Sequence, residues 1–134
     1  MTTYTALIVD DEPDIRELLE ITLTRMGVKT LTAHDLTSAL ALLEQNKPNL
    51  CLTDMNLPDG NGIELVQWIQ QHAPATPVAV ITAYGNMDTA IESLKAGAFD
   101  FVSKPVELPR LRELVNSALR LSEPKADAED AADE

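Results

Sequence analysis

The sequence predicts an α/β domain built on a five-stranded parallel sheet with helices on both faces. Three observations carry this. Short apolar, β-branched runs alternate five times with longer segments of helical spacing. The runs at 6–9, 50–52 and 78–81 are nearly all apolar, as strands covered on both faces must be. A chain of 134 residues with 45% apolar content can also bury one core of ordinary size. Strands joined through helices pair in parallel by right-handed crossovers.

Each element has its own local reason. "TALIVD" (5–10) is a short β-branched run and forms strand one. "PDIRELLEITLTRMG" (13–27) places Ile15, Leu18, Leu19 and Ile21 at helical spacing. Pro13 suits a first helical position there, and Gly27 suits a C-terminal stop. "VKTLTA" (28–33) alternates like a strand with one wetter face, and "DLTSALALLEQN" (35–46) is a helix with Asp35 as its cap. "LCLTD" (50–54) is strand three and "IELVQWIQQH" (63–72) the third helix. "PVAVIT" (77–82), "MDTAIESLKAG" (87–97), "FDFVSK" (99–104) and "LPRLRELVNSALRL" (108–121) complete the alternation.

Residues 1–121 are therefore expected to form one domain. The segment 122–134, "SEPKADAEDAADE", holds six acids and no large apolar side chain. It is expected to be a disordered acidic tail or the start of a linker. The net charge of −12 repels phosphate backbones and anionic lipid, which excludes direct nucleic-acid binding by this segment as well as a membrane role. The single cysteine, Cys51, lies in an apolar run and cannot form an internal disulfide. With no signal-peptide pattern at the start and no membrane-length apolar run, a cytoplasmic setting is expected.

The chemistry gathers at the strand ends. In an open parallel sheet, ligands bind outside the carboxyl ends of the strands. Strand one ends in Asp10, Asp11 and Glu12, strand three in Asp54, strand four in Thr82 and strand five in Lys104. Taken singly, "DDEP" is a capping cluster, Thr82 a strand residue and Lys104 a surface charge. Together they place carboxylates, a hydroxyl and an ammonium on one edge. Close carboxylates repel unless some protonate or a cation neutralises them. An all-oxygen ligand set suits magnesium, which often shares its shell with a phosphate. A carboxylate beside such an ion can accept a phosphoryl group, with the hydroxyl and ammonium holding phosphoryl oxygens.

The residues "VDDEPDIR" (9–16), "LTDMNLPDGNGIEL" (52–65), "VAVITAYG" (78–85) and "KAGAFDFVSKPV" (95–106) resemble the receiver domain of two-component response regulators, over residues 5–121. The stretch "ITAYGNMDTAIESLKAGAFDFVSKPVEL" is similar to receivers at the N-terminus of sigma-54-dependent transcription activators. The resemblance implies a flavodoxin-like sheet of strand order 2-1-3-4-5. It implies that Asp54 is phosphorylated, and that Asp11, Asp54 and the Asn56 backbone carbonyl bind Mg2+, with Asp10 acting through water. It implies that Thr82 and Phe101 report phosphorylation, that Lys104 contacts the phosphoryl group, and that the bond to Pro105 is cis. The implied partners are a sensor histidine kinase and the protein's own ATPase and DNA-binding output domains, with a phosphorylation-dependent homodimer. No "GxxxxGK[ST]" loop and no basic recognition helix lies within this chain.

Other residues carry blander readings. His34 and His72 lie away from the strand-end cluster and read as solvated surface, Cys51 as core packing, and Trp68 as partly buried. Gly60 and Gly62 permit the turn after Asp54. A phosphohydrolase with an aspartyl nucleophile needs a second acid two residues on, where this chain has Asn56, so turnover of outside substrates is not expected. A structural module with a dead site would lack one of Asp11, Asp54, Thr82 or Lys104, and all are present. A flavin-binding domain of this topology would want Ser/Thr-rich loops where this chain has acids.

Overall fold

A computed structural model of the chain describes residues 3–83 and 86–121. Five strands form the main sheet: β1 (Thr5–Val9), β2 (Lys29–Ala33), β3 (Leu50–Asp54), β4 (Val78–Thr82) and β5 (Asp100–Ser103). Five helices alternate with them: α1 (Pro13–Arg25), α2 (Leu36–Gln45), α3 (Gly62–His72), α4 (Met87–Ala96) and α5 (Leu108–Leu121). The sheet is wholly parallel with order β2-β1-β3-β4-β5. The expected acidic tail, 122–134, lies outside the described residues. Among the described residues no helix is long and apolar enough to cross a membrane.

Alternation along each strand sorts the core into two layers. Ala6, Ile8, Leu50, Leu52, Ala79 and Ile81 face one side and pack against Leu19 and Leu23 of α1 and Leu111, Leu114 and Val115 of α5. Leu7, Val9, Cys51, Val78 and Val80 face the other side and pack against Leu43 of α2 and Leu65, Val66 and Ile69 of α3. Trp68 packs at the edge of this second layer with its ring stacked on His72, and Cys51 is fully buried. Burial pushes the Cys51 thiol up to about 12, so it packs as an apolar group. His34 is 68% exposed beside Asp35.

The helix ends follow local chemistry. Asp35 caps α2 by accepting from the Ser38 amide at 2.8 Å, and Asn61 caps α3 by accepting from Glu64 at 2.9 Å. Gly27 after α1 and Gly97 after α4 take positive φ, 84° and 121°, where a side chain would be strained.

One element escapes the sequence pattern. The stretch after Asp54 is a small antiparallel hairpin, Asn56–Leu57 against Gly60–Asn61, where a loop was expected. Leu57 and Met55 are buried and anchor it in the second layer. Its tip is tied to the start of α2, because the Asp59 carboxylate accepts from the Leu36 amide (2.7 Å), the Thr37 amide (3.0 Å) and the Thr37 hydroxyl (2.6 Å). These bonds, led by the Thr37 hydroxyl, hold the Asp59 carboxyl down at about 2. Gly60 and Gly62 serve close approach and not φ: a Cβ on Gly60 would meet the Leu36 side chain at 2.6 Å, and one on Gly62 the Asp54 carbonyl oxygen at 2.7 Å.

The two kinds of glycine should respond differently to alanine. Gly62→Ala forces backbone against backbone and should cost about 2–3 kcal/mol, as overpacking does. Gly27→Ala meets nothing within 4 Å and suffers only its φ of +84°, so a loss of about 1 kcal/mol is expected. Equilibrium urea unfolding of the two variants checks the order; equal losses would contradict it.

Candidate functional site

The parallel order sets the ends of β1 and β3 side by side, and the site grows from that edge. Asp10 follows β1 directly and is fully buried. Its amide donates to the Ala33 carbonyl at 3.1 Å, its Oδ1 accepts from the Glu12 amide at 2.9 Å, and its carbonyl accepts from Arg16 Nη1 at 2.7 Å. These bonds fix the acidic turn before α1 begins. Its Oδ2 is buried and has no hydrogen-bond partner among the described residues. Asp54 closes β3 and is 5% exposed.

Lys104 arrives from β5. Its amide donates to the Thr82 carbonyl at 2.8 Å, which carries the side chain past the end of β4 towards the acids. Its Nζ lies 2.6 Å from Glu12 Oε1 and 3.3 Å from Asp54 Oδ2. The following Lys104–Pro105 peptide is cis. Thr82, the last residue of β4, is 1% exposed, and its Oγ1 also has no hydrogen-bond partner among the described residues.

Carboxylate oxygens of Asp10, Glu12 and Asp54 all lie within 4.8 Å of one another. Desolvation pushes the Asp10 carboxyl up to about 6, with the Asp54 charge adding to the rise and Lys104 opposing it. Asp54 is also raised by burial, and Lys104 works against that shift. Lys104 is itself raised: burial disfavours its charge, but the bond to Glu12 and the fields of Asp54 and Asp10 outweigh it.

A cavity of about 360 Å³ opens over this edge, lined by Asp11, Glu12, Asp54, Asn56, Leu57 and Lys104 among others. Asp10 and Thr82, both buried, are not among its lining residues. Asp11 borders the cavity but is exposed, and its carboxylate stands outside the close set of three. Asn56 is exposed on the hairpin that forms the opposite wall. Phe101 is half-buried and lies one row back from the cavity. The register pairs Val80 with Phe101 and Thr82 with Ser103, so Thr82 and Phe101 share one face of the sheet on adjacent strands.

Arg16 and Asp59 did not stand out in the sequence, and Glu12 did so only as one of the three acids that end strand one. Glu12 joins the cluster and pairs with Lys104, Arg16 braces the acidic turn, and Asp59 pins the hairpin. The available signals were a third consecutive acid for Glu12 and a basic residue one turn into α1 for Arg16. For Asp59 there was none, because its partners lie 22 and 23 residues away.

Comparison with known proteins agrees with this geometry. Residues 6–116 match the family model described as the response regulator receiver domain. The chain is 64% identical over 127 residues to the response regulator protein PilR of Pseudomonas aeruginosa, covering 95% of this chain and 28% of that protein. It is 38% identical to the regulatory protein AtoC of Escherichia coli, covering 89% of this chain and 26% of that one. The chain thus spans roughly a quarter of the length of these relatives. The crystal structure of the receiver domain of NtrX from Brucella abortus superposes with a TM-score of 0.82 at 38% identity, covering 86% of this chain and 98% of that one. Family match, relatives and superposed structure agree, and the chain belongs to the response regulator receiver domain family.

Proposed function

We propose that this domain accepts a phosphoryl group on Asp54 from a sensor histidine kinase. Through that change it would control a transcription-activating output of the sigma-54-dependent kind, carried by domains outside this chain and working in the cytoplasm. The observation that carries the reading is the pair of buried polar atoms without hydrogen-bond partners among the described residues, Asp10 Oδ2 and Thr82 Oγ1, at the ends of the strands that flank Asp54. A buried acceptor and a buried donor left unpaired cost free energy, and a bound cation and a phosphoryl oxygen would satisfy them.

The donors fit a hard divalent cation. The carboxylates of Asp10, Glu12 and Asp54 within 4.8 Å of one another concentrate negative charge there, and the buried Asp10 Oδ2, without a hydrogen-bond partner among the described residues, leaves an oxygen to be satisfied. Mg2+ would be held by Asp11, Asp54 and the Asn56 carbonyl, with Asp10 acting through water, and would neutralise charge between the carboxylates and an incoming phosphoryl group. For Asp11 this requires its exposed side chain to turn into the cavity.

The chain's own residues do the rest. Lys104, 3.3 Å from Asp54 Oδ2, opposes the rise that burial imposes on the Asp54 carboxyl and so favours the ionised carboxylate that acts as the nucleophile. An Asp54 oxygen attacks phosphorus, and the bond to the donor's imidazole nitrogen breaks as the new P–O bond forms. The Lys104 ammonium and the Thr82 hydroxyl then donate to phosphoryl oxygens. The domain works as a switch that supports its own phosphoryl transfer and hydrolysis, without turnover of an outside substrate.

The response spreads along one face. Movement of Thr82 towards the phosphoryl group vacates space on the face it shares with Phe101, whose half-buried ring turns inward. Helix α4 packs on this side and buries only Ala90 and Ser93, while Met87, Ile91 and Leu94 are 56%, 43% and 40% exposed. A coupling of about 1–3 kcal/mol would shift such a helix without refolding the domain.

Three outcomes test the reading. With acetyl phosphate and magnesium, intact-mass spectrometry should show one added phosphoryl group that is absent from Asp54→Asn; equal labelling of that variant overturns the assignment. The second concerns Asp10, whose folded pKa of about 6 lies above its ordinary value of 3.8. Its stabilising effect is fully present below about pH 4 and is lost as pH rises through about 6. In the absence of metal, Asp10→Asn should therefore be more stable than the parent at pH 8, by on the order of 2–4 kcal/mol, and the two should converge near pH 4. Urea unfolding in a chelator measures this, and a pH-independent difference would assign the effect elsewhere. Third, beryllofluoride, standing in for the phosphoryl group, should shift amide resonances of α4 and β5 and increase the sedimentation coefficient as a dimer forms. Shifts confined to the neighbours of Asp54, at unchanged mass, would mean that the signal leaves by another route.

A further inference from the structure

We infer that Glu12 sets the rate at which Asp54 is phosphorylated, by occupying in the resting domain the Lys104 ammonium that the phosphoryl group must take. This rests on the reading of Asp54 as the phosphoacceptor and assigns a rate-modulating role to a strand-end acid to which the family resemblance gives none.

The geometry favours Glu12 over Asp54 as the resting partner of Lys104. Nζ is 2.6 Å from Glu12 Oε1 and 3.3 Å from Asp54 Oδ2. The placement of Glu12 is built in. Its amide is tied to Asp10 Oδ1 at 2.9 Å, and its carbonyl accepts from the Arg16 amide at 3.0 Å as α1 begins. It stands at the N-cap of α1, where Ser, Thr, Asp or Asn would bond the helix amides, yet its side chain makes no cap bond and reaches across the cavity instead. At 56% side-chain exposure it can also swing clear at little cost, which suits a contact that must break in every cycle.

Two effects then act in the same direction. A phosphoryl group arriving at Asp54 needs Lys104 for its oxygens, and the ion pair to Glu12 must be given up first. Glu12 also lines the cavity, so its negative charge faces the incoming anion. With acetyl phosphate as donor, an Asp54 oxygen attacks phosphorus as the bond to the acetyl oxygen breaks, and acetate leaves with that electron pair. Glu12 takes no part in bond making and acts only through Lys104 and its own charge.

The test is the second-order rate of labelling by acetyl phosphate, followed by intact-mass spectrometry at magnesium concentrations saturating for each variant. Glu12→Ala and Glu12→Gln should be labelled roughly two- to fivefold faster than the parent, the range an exposed ion pair allows. The control is Glu44→Gln, which removes one exposed charge near the C-terminal end of α2 and should leave the rate unchanged. A concurrent spectroscopic readout is the Lys104 side-chain nitrogen resonance, which should move in the Glu12 variants and stay in place in Glu44→Gln. Equal or slower labelling of both Glu12 variants overturns the inference while leaving Asp54 as the acceptor. Equal acceleration by Glu44→Gln overturns it in favour of net charge. No labelling of the parent protein overturns the reading of Asp54 and this inference with it.

Discussion

Asp10 and Asp54 are held out of water at adjacent strand ends, and the ammonium of Lys104 is set against them. That arrangement governs the carboxyl edge of the sheet. Neutral packing would have been more stable there, since desolvated like charges cost several kcal/mol and one lysine offsets only part of that. The strand order makes the arrangement attainable. It places β1 beside β3 and brings β5 one strand beyond, with β4 between. Lys104 must therefore pass the end of β4, and its amide bond to the Thr82 carbonyl fixes that passage. The strain sits in electrostatics and not in backbone, because no described residue other than glycine takes a positive φ.

The walls around this edge differ in stiffness. On one side the hairpin after Asp54 is locked by buried Met55 and Leu57, by the tight approach of Gly62 to the Asp54 carbonyl, and by Asp59 reaching α2. On the other side the acidic turn has a fixed backbone but an exposed Glu12 side chain. A rigidly held carboxylate, Asp54, thus faces a movable like charge, Glu12, that shares the same Lys104 ammonium.

The helices divide in the same way. Helix α5 buries Leu111, Leu114, Val115, Ala118 and Leu119, and α1 buries Leu19, Thr22 and Leu23. Helix α4 buries only Ala90 and Ser93. At about 25 cal/mol per Å² of apolar surface, α4 is the most weakly anchored of the three. It also covers the face shared by Thr82 and Phe101, so a rearrangement near the site meets least resistance there.

Local signals in the sequence suffice for the alternation, the parallel sheet, the two-sided core and the set of residues at the strand ends. They do so because hydrophobic period and helix-end chemistry are local, as Pro13, Gly27, Asp35 and the apolar run at 50–52 show. The residues of the site were legible because their order along the chain resembles that of a known family. Their pairings were not. That Lys104 prefers Glu12 and that Asp59 binds α2 join residues between 22 and 92 positions apart, and packing alone sets Asp11 outside the close carboxylates while its neighbour Asp10 is buried. Composition and periodicity carry no term for such distances. The same holds for Gly62, whose reason is the Asp54 carbonyl beside it and not a turn of its own. Only the packed structure decides which charge meets which, because the energy of each pair depends on the few ångströms and the degree of burial that folding alone supplies.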